Sequence, residues 1–163
     1  MKMMRQLLIL ISILNIMELE AQTSNYKFSH MESTDAPKES IWHIWTDVSN
    51  WKNWDKGLKN AILPGDFVQG AKGILIPDSG PRTRFIVSEM VVGSSYTFKT
   101  KIPLGWLVVT RKLEVNKDKT LFTHEVEFTG ILRKVWSNIM GKRYKAVLPE
   151  VMSEIKKIAE IRV

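Results

Sequence analysis

Hydrophobic and polar residues alternate with a period of two across the middle of the chain, over residues 58–130. Short turns containing glycine, proline, asparagine or aspartate divide this region into six segments. The segments are LKNAILP, AKGILIP, RTRFIVSEMV, SYTFKTKIP, WLVVTRKLEVN and TLFTHEVEFTG, and NYKFSHMEST alternates in the same way nearer the N-terminus. Because consecutive strands with short connections pair in an antiparallel manner, the pattern predicts a seven-stranded antiparallel meander.

Between the predicted strands NYKFSHMEST and LKNAILP, the apolar residues recur at the spacing of a helix. DAPKES predicts a helix start, with Asp35 as the N-cap and Pro37 in the first turn, where its missing N–H has no partner to lose. The following stretch, IWHIWTDVSNWKNWD, contains four of the six tryptophans of the chain. Its spacing predicts one short helix, an interruption at DVSN, and a second short helix that carries Trp51 and Trp54.

The C-terminal stretch, residues 131–163, has the spacing of one long amphipathic helix. Pro149 lies inside it and should kink it, and Gly141 is a second weak point. The predicted apolar stripe consists of Leu132, Val135, Trp136, Ile139, Met140, Val147, Leu148, Val151, Met152, Ile155 and Ile158.

The order of strand, two short helices, six strands and long helix predicts an α+β protein. A curved sheet of seven strands wrapped around one long helix accounts for the apolar alternation. Since one helix cannot fill the concave side of such a sheet, we expect a cavity between them. No repeat or linker divides residues 22–163, so we expect one domain there.

The first 21 residues have a different character. Lys2 and Arg5 precede an apolar run over residues 7–17, and Ala21 offers a small residue at a cleavage site. This arrangement predicts a signal peptide and export to the periplasm or the medium. Leu19 and the neighbouring glutamates fit a cleavage site poorly, so an uncleaved apolar N-terminal segment on a cytoplasmic protein is the alternative.

Composition excludes several classes of function. The net charge is +7 over 163 residues, but no basic run alternates with aromatic residues, so we expect no nucleic-acid partner. The absence of cysteine excludes disulfides and thiolate chemistry. His30, His43 and His124 lie at no metal-ligand spacing, and the chain has no phosphate-binding loop or hydrolase motif. We therefore expect neither a metal nor a cofactor.

Two polar residues lie on strand faces that are otherwise apolar. His124 alternates with Phe122, Val126 and Phe128, and Arg111 is the one charge on its own face. A buried arginine needs a partner, so Arg111 either pairs with an internal carboxylate such as Glu89 or receives an anionic group of a ligand.

His124 and Arg111 are either structural groups with satisfied hydrogen bonds or the polar centre of a ligand site. They are the candidates for catalysis, with His124 as a general acid or base. Tyr96 and Tyr144 are the nearest candidates for a second catalytic group.

The segment DAPKESIWHIWTDVSNWKNWD resembles the opening of the polyketide cyclase/dehydrase-like family of the START-like helix-grip superfamily. The matching positions are Ala36-Pro37, Ile41-Trp42, Asp47, Asn50 and Trp54. TLFTHEVEFTG resembles the last strand of that family and AVLPEVMSEIKKIAE the end of its C-terminal helix, so the resemblance covers residues 24–161. It implies the helix-grip fold, in which the two short helices close one side of the sheet.

The resemblance implies an internal site for a small hydrophobic ligand, such as a lipid, a polyketide or an aromatic compound, without catalysis. A cyclase or dehydratase using His124 and Arg111 is the alternative, and a lipid or quinone carrier is a further one. Basic residues on the C-terminal helix are either a solvated face or a surface for transient contact with an anionic membrane. We expect a monomer or weak dimer. The expected ligand-binding residues are Trp51, Phe85, Tyr96, Phe98, Arg111, Phe122, His124, Phe128, Trp136, Met140 and Tyr144.

Overall fold

The computed structural model describes residues 26–161, and the predicted signal peptide lies outside them. The strands are β1 (Lys27–Thr34), β2 (Leu58–Ile62), β3 (Lys72–Pro77), β4 (Thr83–Val91), β5 (Ser95–Ile102), β6 (Gly105–Asn116) and β7 (Lys119–Gly130). The helices are α1 (Lys38–Thr46), a 3₁₀ helix (Val48–Asn53), α2 (Arg133–Trp136), a π-helical turn (Ser137–Gly141) and α3 (Lys142–Ile161).

The seven strands form one antiparallel sheet in the order β1-β7-β6-β5-β4-β3-β2. Strands β2 to β7 are a meander, and β1 returns to pair with β7. The sheet curls into a half-barrel, and α3 packs against β1, β7 and α1. The predicted α+β helix-grip architecture, with two short helices after the first strand, is confirmed.

The start of α1 differs from the prediction. Pro37 is the N-cap, and no side chain caps the helix. The Asp35 carboxylate instead pairs with Lys119 Nζ, at the start of β7, at 2.7 Å. The prediction of Asp35 as N-cap was therefore wrong, because the helix begins at Lys38 and Pro37 occupies the N-cap position.

The C-terminal helix also departs from a single regular stripe. The residues of α3 that are buried are Leu148, Val151, Met152, Ile155 and Ala159. Val135, Ile139 and Val147 are exposed, although all three belong to the predicted stripe. Trp136 and Met140 pack against the same core as Leu148 and Met152, so the π-helical turn does not divide the apolar face into two. The buried face is narrower than the predicted stripe, and the three exposed residues lie beyond its edge.

Gly141 is the last residue of the π-helical turn. A Cβ atom at this position would lie 3.0 Å from Ser137 Oγ and 3.7 Å from the Phe128 ring. The Phe128 distance is an ordinary van der Waals contact, so the crowding that glycine avoids here is with Ser137 in the same turn. The weak point predicted at Gly141 corresponds to the end of the π-helical turn, and Pro149 lies inside α3 as the sequence shows.

Candidate functional site

The candidate site is centred on Arg111, which lies on the inner face of β6. Leu107, Val109 and Leu113 share this face and are buried, and the period of two gives Arg111 the same inward direction. The Arg111 residue is only 2% exposed. The sequence prediction of an inward arginine is thus confirmed.

Five aromatic rings surround the guanidinium group. Three are tryptophans from α1 and the segment that follows it, and two come from β5. The distances from the guanidinium carbon to the ring centroids are 4.8 Å for Trp54, 5.0 Å for Trp51, 5.5 Å for Tyr96, 5.6 Å for Phe98 and 5.9 Å for Trp45. Aromatic faces attract a desolvated cation, so these rings offset part of the cost of burying the charge. The tryptophan-rich segment therefore supplies three of the five aromatic rings around Arg111.

A short chain of hydrogen bonds connects Arg111 to the end of α1. The Arg111 guanidinium donates to the Tyr96 hydroxyl, which donates to the Trp45 carbonyl at 3.0 Å. Trp51 Nε1 donates to the same carbonyl at 2.9 Å. Carbonyls in the last turn of a helix have no partner within the helix and carry its negative dipole end. Side chains from β5 and the 3₁₀ helix thus satisfy this carbonyl, and the cation lies near a favourable dipole.

Glu89 does not supply the carboxylate that the sequence suggested. A β-bulge between Val87 and Glu89 shifts the register of β4 against β5. Val87 is buried on the inner face, but the extra residue places Glu89 on the outer side, where it is exposed. The predicted pairing with Glu89 was wrong, and Arg111 forms no ion pair within residues 26–161.

Several buried polar atoms near Arg111 have no hydrogen-bond partner among the described residues. They are Arg111 Nε, Trp45 Nε1, Trp54 Nε1 and His124 Nδ1. Three of these atoms are obligate N–H donors. Buried polar atoms are normally paired, so these unpaired donors make the surroundings of Arg111 the candidate position for a hydrogen-bond acceptor.

His124 lies directly opposite Arg111 in the β6–β7 register and is buried. Burial, and secondarily the charge of Arg111, holds the pKa of His124 well below its ordinary value. The imidazole is therefore neutral at neutral pH. Burial also raises the pKa of Tyr96 to about 12, although Arg111 opposes this shift. Tyr96 thus keeps the proton that it donates to Trp45.

A second polar centre was missed by the sequence analysis. Asp55 follows Trp54, is half-buried, and accepts a hydrogen bond from the Gly57 N–H at 3.0 Å. Burial raises the pKa of Asp55, and the Gly57 N–H and Arg111 oppose the shift. Burial, and then the Asp55 charge, raises the pKa of Tyr144 in α3 to about 12. The sequence feature that could have pointed to Asp55 is its position directly after Trp54 in the tryptophan-rich segment.

The other predicted ligand-binding residues lie in two groups. Those of the sheet and the 3₁₀ helix are buried: Trp51, Phe85, Tyr96, Phe98, Phe122 and Phe128. The Trp51 ring lies 5.5 Å from both Phe85 and Phe98, and Phe122 makes an edge contact with Trp45.

The residues of the helical segment are only partly buried. Tyr144 contacts the Phe128 ring at 6.2 Å, and Trp136 Nε1 donates to the Pro103 carbonyl at 2.9 Å. Met140 packs against the core. Contact of any of these residues with a ligand stays a prediction.

Residues 26–161 contain no group of three or more histidine or acidic side chains that could hold a metal ion. In the same range, no helix combines the length and hydrophobicity needed to cross a bilayer.

No family model matches the chain, and no curated protein is similar to it in sequence. Solved structures are similar in fold. A protein from Nitrosomonas europaea superposes with a TM-score of 0.68 at 9% identity, over 85% of this chain and 97% of its own. A protein from Arthrobacter aurescens gives 0.63 at 18% identity, over 83% of this chain and 87% of its own.

Norcoclaurine synthase from Thalictrum flavum, solved with dopamine and hydroxybenzaldehyde, gives a TM-score of 0.61 at 14% identity, over 81% of this chain and 84% of its own. These similarities support the helix-grip fold. At such low identities they extend to the fold alone.

Proposed function

We propose that this protein binds a small hydrophobic molecule between the sheet and the C-terminal helix, and that an oxygen of the ligand is held at Arg111. The observation that carries the proposal is the buried guanidinium, which forms no ion pair within the described residues and has unpaired donors around it. The expected ligand is an aromatic, polyketide or lipid molecule with a carboxylate, phenolate or carbonyl group.

Loss of hydration makes the buried charge of Arg111 unfavourable. A charge that is removed from water without an opposite charge lowers stability by several kcal/mol unless other groups compensate. The rings and the Tyr96 hydroxyl compensate Arg111 only in part, since its Nε atom has no partner. An acceptor oxygen beside the guanidinium would satisfy Arg111 Nε, and Trp54 Nε1 and Trp45 Nε1 are further unpaired donors on rings that surround it. The apolar walls would then hold the remainder of the ligand.

Norcoclaurine synthase, which shares the fold, has been solved with two aromatic phenols bound. This supports an aromatic ligand for the present chain. It gives no information on which ligand, because the identity is only 14%.

A cyclase or dehydratase of the polyketide cyclase/dehydrase type is the second candidate. One observation favours it: His124 is neutral, has an unpaired Nδ1 and lies beside a cation. A neutral imidazole can accept a proton, and Arg111 could stabilise an enolate oxygen formed by that transfer. In an enzyme, His124→Gln would abolish turnover but preserve ligand affinity. In a binding protein, no turnover would exist to lose.

Two fluorescent probes test the proposal. Anilinonaphthalene sulfonate is anionic, and N-phenylnaphthylamine is neutral and similar in shape. We expect Arg111→Met to weaken binding of the anionic probe at least tenfold while the neutral probe changes less than threefold. Methionine fills much of the same space, so the walls should persist.

The matched control is Lys112→Met, the next residue, which is exposed on the outer face of β6. It removes the same charge and should leave both probes bound as in the native protein. Binding of the anionic probe that is equal in Arg111→Met and the native protein would refute a role for Arg111. Failure of both probes to bind the native protein would refute the hydrophobic site. Near-ultraviolet circular dichroism checks that each variant is folded.

A further inference from the structure

One end of the molecule exposes a group of large apolar side chains. Leu104 in the β5–β6 turn is 63% exposed, Ile131 after β7 is 85% exposed, and Ile139 in the π-helical turn is 64% exposed. Trp106 and Val135 are also exposed. We call these five residues the apolar end. Water-facing apolar groups of this kind on a folded protein often mark an interaction surface.

Backbone contacts hold the apolar end together. The Ile131 N–H donates to the Leu104 carbonyl at 3.0 Å, so the β5–β6 turn and the start of the helical segment are in direct contact. A Cβ atom at Gly130 would lie 2.3 Å from the Leu104 carbonyl oxygen, so only glycine permits this approach. Trp136 fixes α2 against the same turn through Pro103. These hydrogen bonds and close contacts therefore fix the backbone that carries the exposed side chains.

Leu104 is an unusual residue for its position. Its φ of 56° lies in the left-handed region, where glycine or asparagine is normally found. Leucine there carries backbone strain and exposes an apolar side chain to water at the tip of a two-residue turn. Strained residues that persist at a surface are often functional, and glycine would have avoided both disadvantages.

The two chain segments that form the apolar end contain cations and no acidic residue. Lys101 lies 6.0 Å from the centre of the Trp106 ring. Residues 128–149 include five cations and no acidic residue, and residues 90–113 also lack Asp and Glu. The cations of the helical segment are Arg133, Lys134, Lys142, Arg143 and Lys145. These two segments therefore combine exposed apolar side chains with cations and no carboxylate, while Glu127, on the same outer face of the sheet as Trp106, lies near Lys27.

We propose that the apolar end docks onto the surface of a lipid bilayer that contains anionic lipids. Leu104, Ile131 and Ile139 enter the boundary between headgroups and acyl chains, and the surrounding lysines and arginines contact the anionic headgroups. Apolar insertion and electrostatic attraction act together on such a surface. Charge complementarity favours a bilayer with anionic headgroups, because the segments of this end carry cations and no acidic residue. This docking is independent of the ligand site at Arg111.

Flotation of the full chain with vesicles tests the proposal. We expect binding to vesicles with one third phosphatidylglycerol and at least tenfold weaker binding to phosphatidylcholine alone. The double variant Lys134→Glu/Lys142→Glu should weaken binding to the anionic vesicles at least tenfold, and Leu104→Asn/Ile131→Ser at least fivefold. All four positions are exposed, so the circular dichroism spectra should be unchanged.

Matched controls lie at the opposite end of the sheet. Lys112→Glu/Lys117→Glu changes the net charge equally, and Val91→Ser/Val92→Ser removes exposed valines from the β4–β5 turn. We expect both controls to bind as the native chain does. Equal effects of the two charge variants would indicate nonspecific attraction and overturn the proposal. No effect of either variant of the apolar end would also overturn it, because binding would then be due to another segment, such as residues 1–25.

Discussion

The Arg111 centre and the Asp55–Tyr144 pair show two ways of keeping polar groups inside one domain. Arg111 is a permanent charge enclosed by five rings and connected to the end of a helix. Asp55 and Tyr144 are half-buried, and burial shifts the pKa of each towards the neutral form. A group that cannot lose its charge must be surrounded by compensating partners, whereas a titratable group can lose its charge instead. The Arg111 centre is therefore enclosed more completely than the Asp55–Tyr144 pair.

The largest expected effect on the free energy of unfolding comes from substitutions of Arg111. Arg111→Ala should lower the free energy of unfolding by about 2–5 kcal/mol, because it leaves a void among the rings and removes the donor to Tyr96. Arg111→Met should stay within about 1.5 kcal/mol of the native protein, since it keeps most of the volume and removes an unpaired donor. Urea unfolding measures both. A loss of several kcal/mol in Arg111→Met as well would contradict this expectation and show that the polar contacts of Arg111, in addition to its volume, stabilise the fold.

The next effect is the pH dependence of stability that His124 creates. Its folded pKa lies below the unfolded value of about 6.5, so above that pH both states are neutral and this residue adds no pH dependence. As the pH falls below about 6.5, the unfolded chain binds a proton that the native state does not. Stability should then decrease by up to about 1.4 kcal/mol per pH unit until the native imidazole protonates.

Unfolding measured between pH 7 and pH 4 checks the His124 prediction. His124→Gln should flatten the slope in the part of this range below about pH 6.5. The control, His43→Gln, changes an exposed histidine on α1 and should leave the slope as in the native protein. An unchanged slope in His124→Gln would mean that the native imidazole protonates as easily as the unfolded one.

The smallest effect concerns the Asp55–Tyr144 pair. Asp55→Asn keeps an oxygen for the Gly57 N–H but removes the negative charge that helps to raise the pKa of Tyr144 to about 12. We expect the pKa of Tyr144 to fall towards its ordinary value of 10.0 without reaching it, since burial is the larger cause. Tyrosinate absorbance, taken as the difference from Tyr144→Phe, measures this shift. Asp66→Asn, at an exposed aspartate, should leave it unchanged.

The sequence predicted those features that depend on periodicity. The period of two gave the strands and the inward directions of Arg111 and His124, because side-chain direction in a strand follows from position alone. The same rule failed at Glu89, where one bulge residue reverses the faces. The helical stripe was predicted too wide at Val135 and Ile139, which are exposed although their neighbours Trp136 and Met140 pack against the core.

Contacts between distant segments were beyond such rules. The Tyr96 and Trp51 donors to the Trp45 carbonyl, and the Asp55–Tyr144 proximity, bring together residues from separate elements. They depend on how α1, the 3₁₀ helix and α3 pack on the sheet, which no local pattern encodes. The family resemblance supplied the architecture but none of these contacts. The sequence therefore predicted that Arg111 and His124 point inwards, but not which groups they contact.

The pairing of β1 with β7 has a consequence for how the chain folds during translation. Lys27 pairs with Glu127, about 100 residues later, whereas the other neighbouring strands follow one another directly. Hairpins from β2 onwards can form as they leave the ribosome, but β1 must wait for β7, which takes about 5–20 s at ordinary rates of synthesis. During that interval the apolar side of β1, including Phe28, is available to chaperones and to other nascent chains.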